Sequence, residues 1–349
     1  MKKLFLFLTL TLFCNFLPAQ QKAEAEKLIN EGITYHDKGD YVTAISKYDK
    51  ALELDTDNLL ALAEKAYSLI SMQKYTETIE CCRRAIEKHP GESDLRLVYV
   101  TYGNALDGLK KPEESIEMYN TGIGVFPDYY QLHFNKGITL SGMDKSSEAL
   151  SCFQKSATLN PKHASSHHAI AVLESNKIPS ILAYCRYLSL DAQSNRAKSN
   201  LENLKHKLKG NVKQTGEKSG TINISPDMLA NSEKNGENNF STADLILSMA
   251  AALDYDKKYK KETEVERFKR KLESICSVMD ESKEKGSGFY WKYYAPYFIE
   301  MNKNQLIETF AYLAFSSSND SYVAKWLNSH QAEIEKFLEW SGNFAWKTN

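Results

Sequence analysis

The sequence is poor in the motifs that enzymes and metal sites use. Its 349 residues include six cysteines, which stand at irregular intervals and form no CxxC pair. This spacing favours neither a zinc site nor a regular disulfide framework. The P-loop, GxGxxG, GxSxG and HExxH motifs are also absent. We therefore expect no enzymatic activity, no metal and no other cofactor.

Charge of one sign and long apolar runs are scarce as well. Lys and Arg number 44 and Asp and Glu number 45, so the formal net charge is -1. A chain with this balance has no strong field that would attract nucleic acid or an anionic membrane. After residue 20, no apolar run approaches the length of a membrane span. We expect the partners to be other proteins, with no nucleic acid and no transmembrane segment in the mature chain.

The first twenty residues have the layout of a secretory signal peptide. Two lysines precede an apolar run at residues 4–13, and a small-residue exit follows at residues 18–20. Such a run is too short to span a bilayer. We therefore predict a signal peptide at residues 1–20 and export to the periplasm, the envelope or the exterior, with a buried N-terminal helix or strand as the alternative. Lipid attachment at Cys14 is disfavoured, because Phe13 stands where lipoprotein processing requires a small residue.

Small residues and large side chains recur with a fixed period along the chain. The small residues are separated by 34, 37, 34 and 34 positions and are Gly32, Ala66, Gly103, Gly137 and Ala171. Sixteen residues after each of them stand Tyr48, Cys82, Tyr119, Phe153 and Tyr187. Prolines follow eight residues after the second, third and fourth of these, at Pro90, Pro127 and Pro161. This pattern resembles the tetratricopeptide repeat.

The resemblance implies an all-α fold over residues 25–195, in which five helical hairpins stack as a right-handed α-α superhelix. Each small residue would lie where the two helices of a hairpin approach most closely. A one-sided apolar pattern at Leu201, Leu204 and Leu208 then predicts a capping helix. We assign residues 21–209 to this solenoid, with the fifth hairpin as its weakest match because Glu174 replaces a large apolar residue.

Members of the tetratricopeptide family usually bind ligands in a concave groove lined by the first helix of each hairpin. The matching positions here are Ile29, Ile33, His36, Tyr67, Ile70, Asn104, Phe134, Ile138 and His168. Some family members clamp a carboxylate there with a set of Lys, Asn and Arg residues. This sequence has Ile29, Ile33 and Glu64 at the first three of those positions. We therefore expect an extended or helical segment of a partner protein, bound mainly by apolar side chains.

The C-terminal part of the chain carries a dense aromatic cluster. A Gly-, Ser- and Asn-rich stretch at residues 210–240 predicts a flexible linker. Helical periodicity returns at residues 241–349, which predicts a small helical domain of no recognised family. Seven aromatic residues lie within residues 289–298. Two interpretations stay open: a core helix packed on both sides, or an aromatic surface for a glycan or small molecule that includes Tyr290, Trp291 and Tyr294.

Histidines and cysteines offer two further candidate sites. His163 and His167 stand four residues apart and would present two imidazoles on one helical face, but no carboxylate or cysteine stands at ligand spacing nearby. Solvated histidines are the favoured interpretation. A disulfide between Cys152 and Cys185 is conceivable after export, although free thiols packed inside the repeats fit the pattern better.

Overall fold

The structure is a computed structural model that describes residues 2–216, 219–222 and 236–347. The chain forms two compact units, Met1–Cys152 and Phe153–Asn349, called unit 1 and unit 2 below. Unit 1 contains α1 (Lys2–Asp37), α2 (Tyr41–Leu54), α3 (Leu59–Ser71), α4 (Tyr75–Lys88), α5 (Leu95–Gly108), α6 (Pro112–Val125) and α7 (Tyr130–Gly142). Helix α8 (Ser146–Leu159) begins in unit 1 and ends in unit 2.

Unit 2 is also helical, apart from a short β-hairpin. Its elements are α9 (Ala164–Leu173), α10 (Lys177–Leu190), α11 (Asn195–Lys207), β1 (Val212–Gly216), β2 (Ser219–Ile222), α12 (Ser241–Ala252), α13 (Glu264–Ser282), α14 (Phe289–Lys303), α15 (Ile307–Ala314), α16 (Ser321–Ser329) and α17 (Gln331–Asn343). Strands β1 and β2 are antiparallel. The five predicted hairpins are therefore α1–α2, α3–α4, α5–α6, α7–α8 and α9–α10, which confirms the all-α fold class.

Local chemistry sets where the helices of unit 1 begin. The Asp40 side chain accepts a hydrogen bond from the amide of Thr43 at 3.1 Å and so caps α2. Asn58 caps α3 in the same way, accepting from the amide of Ala61 at 3.0 Å. Pro112 is the first residue of α6. The backbone N–H groups of the first helical turn form no hydrogen bond within the helix, so proline, which lacks this group, is tolerated there. One helix in each of the first three hairpins therefore has a start signal that is readable in its own sequence.

The small residues of the period lie where two helices touch. A Cβ added to Gly32 would lie 2.4 Å from Cε1 of Tyr48, and one added to Gly103 would lie 2.3 Å from Cε1 of Tyr119. No side chain fits into such a gap without displacing the ring. In the second hairpin Cys82 takes the position of these tyrosines and is fully buried. The predicted close approach of the paired helices is thereby confirmed.

Helix α10 is enclosed on every side in unit 2. All the side chains from Ile178 to Leu188 are buried, including Cys185 and Arg186. The helix packs against α9 and α11, and also against α12, α14 and α15 of the C-terminal region. A helix that is covered all round needs apolar residues on every face, and α10 has them. The fifth hairpin therefore shares one core with the C-terminal helices.

The compact units divide the chain differently from the predicted domains. The sequence assigned residues 21–209 to a solenoid and residues 241–349 to a separate helical domain. The observed division falls between residues 152 and 153, so the fifth hairpin belongs with the C-terminal helices. The stretch predicted as a flexible linker at residues 210–240 contains the β1–β2 hairpin. Residues 217–218 and 223–235 of that stretch lie outside the described residues.

The predicted signal peptide falls within the first part of α1. The side chains of residues 1–19, Cys14 among them, lie outside the described part of the chain. Among the residues that are described, no helix has both the length and the apolar character that a membrane crossing requires. Export therefore stays a prediction from the sequence.

Candidate partner-binding groove

The first helices of the first four hairpins lie side by side in unit 1. Helix α3 packs against both α1 and α5, and α5 packs against α7. Residues spaced by three and four along these helices lie on one face. On α3 that face carries Leu60, Tyr67 and Ile70, and on α5 it carries Leu97 and Asn104. We call this face, made by α1, α3, α5 and α7, the groove.

Large apolar side chains remain exposed along the groove. Tyr67 is 54% exposed, Leu97 51%, Ile138 49% and Leu60 45%. Leu60 and Leu97 were not among the residues predicted from the sequence. They stand 37 positions apart, which is the interval between the second and third repeats. Both residues could therefore have been assigned to the groove from the period alone. Together these side chains form a row of exposed apolar surface across three helices.

The other predicted groove residues differ in exposure. Ile33, His36, Ile70, Asn104 and Phe134 are half-buried. Ile29 is fully buried, because its side chain belongs to the core formed by α1 and α2 with Ala61 of α3. It offers no surface to a ligand in this structure. His168 is half-buried in unit 2, where its Nδ1 lies 2.8 Å from Oδ1 of Asn200.

Polar contacts at equivalent positions link neighbouring first helices. His36 Nδ1 lies 2.7 Å from the hydroxyl of Ser68. The His36 ring also stacks on the ring of Tyr67 at a centroid distance of 4.7 Å and an interplanar angle of 22°. Two hairpins further along, the hydroxyl of Thr139 donates to the carboxylate of Asp107. These contacts hold the groove-lining helices at a fixed separation.

Carboxylates and tyrosines at the groove have shifted pKa values. Burial, aided by the charge of Asp37, raises the pKa of Glu64. Burial also raises the pKa of Asp107, although hydrogen bonds such as the one from Thr139 oppose that shift. The Tyr48 hydroxyl is buried beneath the groove, which raises its pKa to about 12. An apolar groove with partly desolvated carboxylates is poorly suited to an anionic ligand.

The structure encloses the aromatic residues that were considered as a glycan or small-molecule surface. Tyr290, Trp291 and Tyr294 are all buried. Trp291 stacks on Phe240 at 4.3 Å, and its Nε1 donates to a backbone carbonyl at 2.9 Å. These side chains therefore present no exposed aromatic face, because α14 is packed on both sides. This agrees with the interpretation of the cluster as a core helix.

His167 is buried and is not solvated as the sequence suggested. Its Nδ1 lies 2.7 Å from the hydroxyl of Tyr294, and its Nε2 lies 3.0 Å from the carbonyl oxygen of Pro161. Burial, together with the charge of Arg186, lowers the pKa of His167 to about 3. Both ring nitrogens are engaged, so this imidazole is not available to a metal. In the described part of the chain, no group of three or more potential ligands is arranged around a metal position.

The described cysteines are free thiols. Cys152 is half-buried and Cys185 is buried, and neither forms a disulfide. Burial raises the pKa of both thiols. Cys81 and Cys82 are also buried, with pKa values raised for the same reason. Buried thiols held in the protonated form are poor nucleophiles, and their role here is packing.

The stacked hairpins, two of which place a glycine against a tyrosine ring, define an α-helical repeat protein. Residues 130–163, which carry α7 and α8, match the family model of the tetratricopeptide repeat. The fourth hairpin thus matches the tetratricopeptide repeat, and the other hairpins follow the same period.

Curated relatives share this repeat over part of their length. Protein STIP1 homolog of Dictyostelium discoideum is 27% identical, over 41% of this chain and 31% of that protein. The small glutamine-rich tetratricopeptide repeat-containing protein of the same organism is 35% identical, over 31% of each chain. The chain thus spans about a third of the length of these two relatives. Among solved structures, PilF of Pseudomonas aeruginosa is 21% identical, with a TM-score of 0.44 over 54% of this chain and 90% of that one.

Proposed function

We propose that this protein is an interaction scaffold whose groove binds a segment of another protein and that it performs no catalysis itself. The row of exposed apolar side chains on α3, α5 and α7 carries this proposal. Water in contact with such a row is released when a partner covers it, which favours association. The exposed side chains are spread over three neighbouring helices, an arrangement that suits an extended or helical segment better than a small molecule.

The groove supports apolar recognition and lacks the features of a carboxylate clamp. Ile33 and Glu64 stand where a clamp would need polar and basic side chains. The charge at Glu64 would repel a terminal carboxylate. The partner segment is therefore held mainly by its apolar side chains, with Tyr67 and Leu97 as central anchors.

Site-specific photocrosslinking tests this proposal. A photoreactive residue at position 67 or 138 should crosslink a partner protein in the producing cell. The double substitution Leu60→Ala and Leu97→Ala should reduce the yield of this crosslinked product at least about tenfold. A photoreactive residue at Val42, which is exposed on α2 away from the groove, is the matched control. Equal crosslinking at positions 42 and 67, or yields unchanged by the two alanines, would show that the groove is not the binding surface.

We also propose that the protein works after export, with residues 1–20 as the signal peptide. The sequence supports this through the lysine pair, the short apolar run and the small-residue exit. N-terminal sequencing of the protein recovered from producing bacteria should give a chain that begins at Gln21. Recovery of intact Met1 would refute cleavage, and an acylated Cys14 would assign the protein to the lipoproteins instead.

A further inference from the structure

A cleft in unit 2 lies between α14, α17 and the short stretch of chain that follows α17. Its volume is about 410 Å³, which is in the range of small-ligand sites. Tyr290, Trp291 and Tyr294, the residues considered from the sequence as a ligand surface, are not among those that line it. The cleft is therefore a different candidate site from the one that the aromatic cluster suggested.

Two aromatic rings form walls of this cleft. Trp340 and Phe344 both line it and are half-buried, with their ring centres 5.9 Å apart at an angle of 62°. The buried ring of Tyr297 supports both, at 4.9 Å from Trp340 and 5.0 Å from Phe344. Nε1 of Trp340 also donates to Oε1 of Glu300 at 3.1 Å. Rings held in this way offer a flat apolar surface at little cost in side-chain entropy.

Hydrogen-bond acceptors lie along one side of the cleft. Lys292, Pro296 and Glu300 all line it and are spaced by four residues, so they share one face of α14. Pro296 has no N–H, and the carbonyl oxygen of Lys292 therefore lacks its usual donor within the helix. Oε2 of Glu300 has no hydrogen-bond partner among the described residues. A ligand with several hydroxyl groups can donate to both oxygens.

The charge of the cleft is positive. The exposed residues Lys292 and Lys347 both line it, against a single carboxylate, that of Glu300. Neither lysine forms an ion pair with a residue in the described part of the chain. Two ammonium groups beside one carboxylate favour a ligand that carries an anionic group.

We propose that this cleft binds an acidic sugar unit of a glycan. The sugar ring lies on Trp340 and Phe344, and its hydroxyl groups donate to Glu300 and to the carbonyl oxygen of Lys292. Its carboxylate or sulfate group is held by Lys292 and Lys347. This is a second binding site, and it does not depend on the proposed function of the groove.

Binding of the full chain to immobilised oligosaccharides tests this inference. The probes are a galacturonate tetramer, a sulfated galactose tetramer and a neutral galactose tetramer. One of the two acidic probes should retain the chain, and which one does so distinguishes a carboxylate from a sulfate ligand. The neutral probe should bind at least about tenfold more weakly, as expected for the loss of a charge-assisted contact. Retention by none of the probes, or equal retention by all three, would refute the site.

Matched variants locate the binding within the molecule. Lys292→Gln together with Lys347→Gln should weaken the acidic probe at least about tenfold and leave the neutral one unchanged. Both positions are exposed, so the fold should be retained, which circular dichroism checks. Trp340→Ala should weaken both probes. Lys336→Gln, an exposed lysine of α17 outside the cleft, should change neither.

The outcome at Lys336 separates a site from general attraction to positive charge. If Lys336→Gln weakens the acidic probe as much as the pair of cleft substitutions does, the cleft is not the binding site. Leu60→Ala with Leu97→Ala should leave the retention of the acidic probe unchanged, because the groove is not involved. Loss of glycan binding in that variant would contradict the assignment to unit 2.

Discussion

At the scale of the residue, single substitutions between repeats decide the chemistry of the groove. The period places Tyr48 and Tyr119 at equivalent positions, so both rings fill the same space against a glycine. Ile33 in place of Asn104 then removes the hydrogen-bond acceptor from the first hairpin. Glu64 adds a carboxylate whose pKa is raised by burial. Ile33 and Glu64 thus make this stretch of the groove differ from the stretch around Asn104.

The pH dependence of stability provides a test of Glu64. Its pKa in the folded chain lies above the ordinary 4.5, so the folded state holds the proton more tightly than the unfolded state does. The stability from this group is fully present below pH 4.5 and is lost as the pH rises through the raised pKa. In the absence of a partner, Glu64→Gln should therefore stabilise the protein at pH 7, by less than about 1 kcal/mol because the site is only partly desolvated.

Urea denaturation at pH 7 and below pH 4.5 measures this difference. The gain from Glu64→Gln should vanish well below pH 4.5, where the carboxyl group is protonated in both states. Glu117→Gln, which removes the same charge from an exposed site on α6, should change stability little at either pH. A loss of stability in Glu64→Gln at pH 7 would mean that the folded chain already supplies a cation to this carboxylate.

At the scale of the element, the paired helices depend on glycine at their point of contact. Gly103 lies against the ring of Tyr119, whereas Gly124 on α6 has open space where a Cβ would lie. Glycine is unfavourable inside a helix unless the neighbouring structure requires it. Glycine is therefore essential at position 103 and dispensable at position 124.

Alanine substitutions at these two glycines should have opposite effects. Gly103→Ala should destabilise the protein by about 1–3 kcal/mol, because the new methyl group displaces the Tyr119 ring. Gly124→Ala should stabilise it by up to about 1 kcal/mol through helix propensity. Thermal unfolding followed by circular dichroism gives both values. Equal effects of the two substitutions would contradict the close helix contact at Gly103.

At the scale of the whole molecule, the fifth hairpin and the C-terminal helices form one core within unit 2. Arg186 of α10 shows how they are joined. Its Nη1 donates to the hydroxyl of Ser341 at 3.0 Å, and its guanidinium lies 4.9 Å from the ring centre of Tyr297 and 4.6 Å from that of Trp346. Such hydrogen bonds and ring contacts stabilise a buried guanidinium, although Nε of Arg186 has no hydrogen-bond partner among the described residues. The C-terminal helices are therefore part of the structure that holds α10.

Removal of residues 241–349 tests this shared core. The deletion uncovers the apolar side chains of α10 and leaves Arg186 without its partners in α14 and α17. The backbone amides of α10 should then exchange with deuterium at least about tenfold faster, while those of α3 and α4 in unit 1 keep their protection. Hydrogen–deuterium exchange with mass spectrometry resolves the two regions. Unchanged protection of α10 would show that the fifth hairpin is stable by itself.

The sequence alone determined the repeats, because their signals are local. The spacing of glycine or alanine and a large side chain follows from the contact between two adjacent helices, and caps such as Asp40 and Asn58 act within a few residues. The same pattern predicts that the elements are helices, where each hairpin begins and ends, and which face of each first helix is shared. That is also why most residues of the groove could be named from their positions in the period.

Only the tertiary structure decided which of those side chains meet solvent. Ile29 was assigned to the groove but lies in the core, and His167 and Trp291 are buried by partners that are distant in sequence. Periodicity identifies the face of a helix but does not identify what packs against it. The covering of α10 by helices that are distant in sequence depends on such contacts, and no local pattern records them.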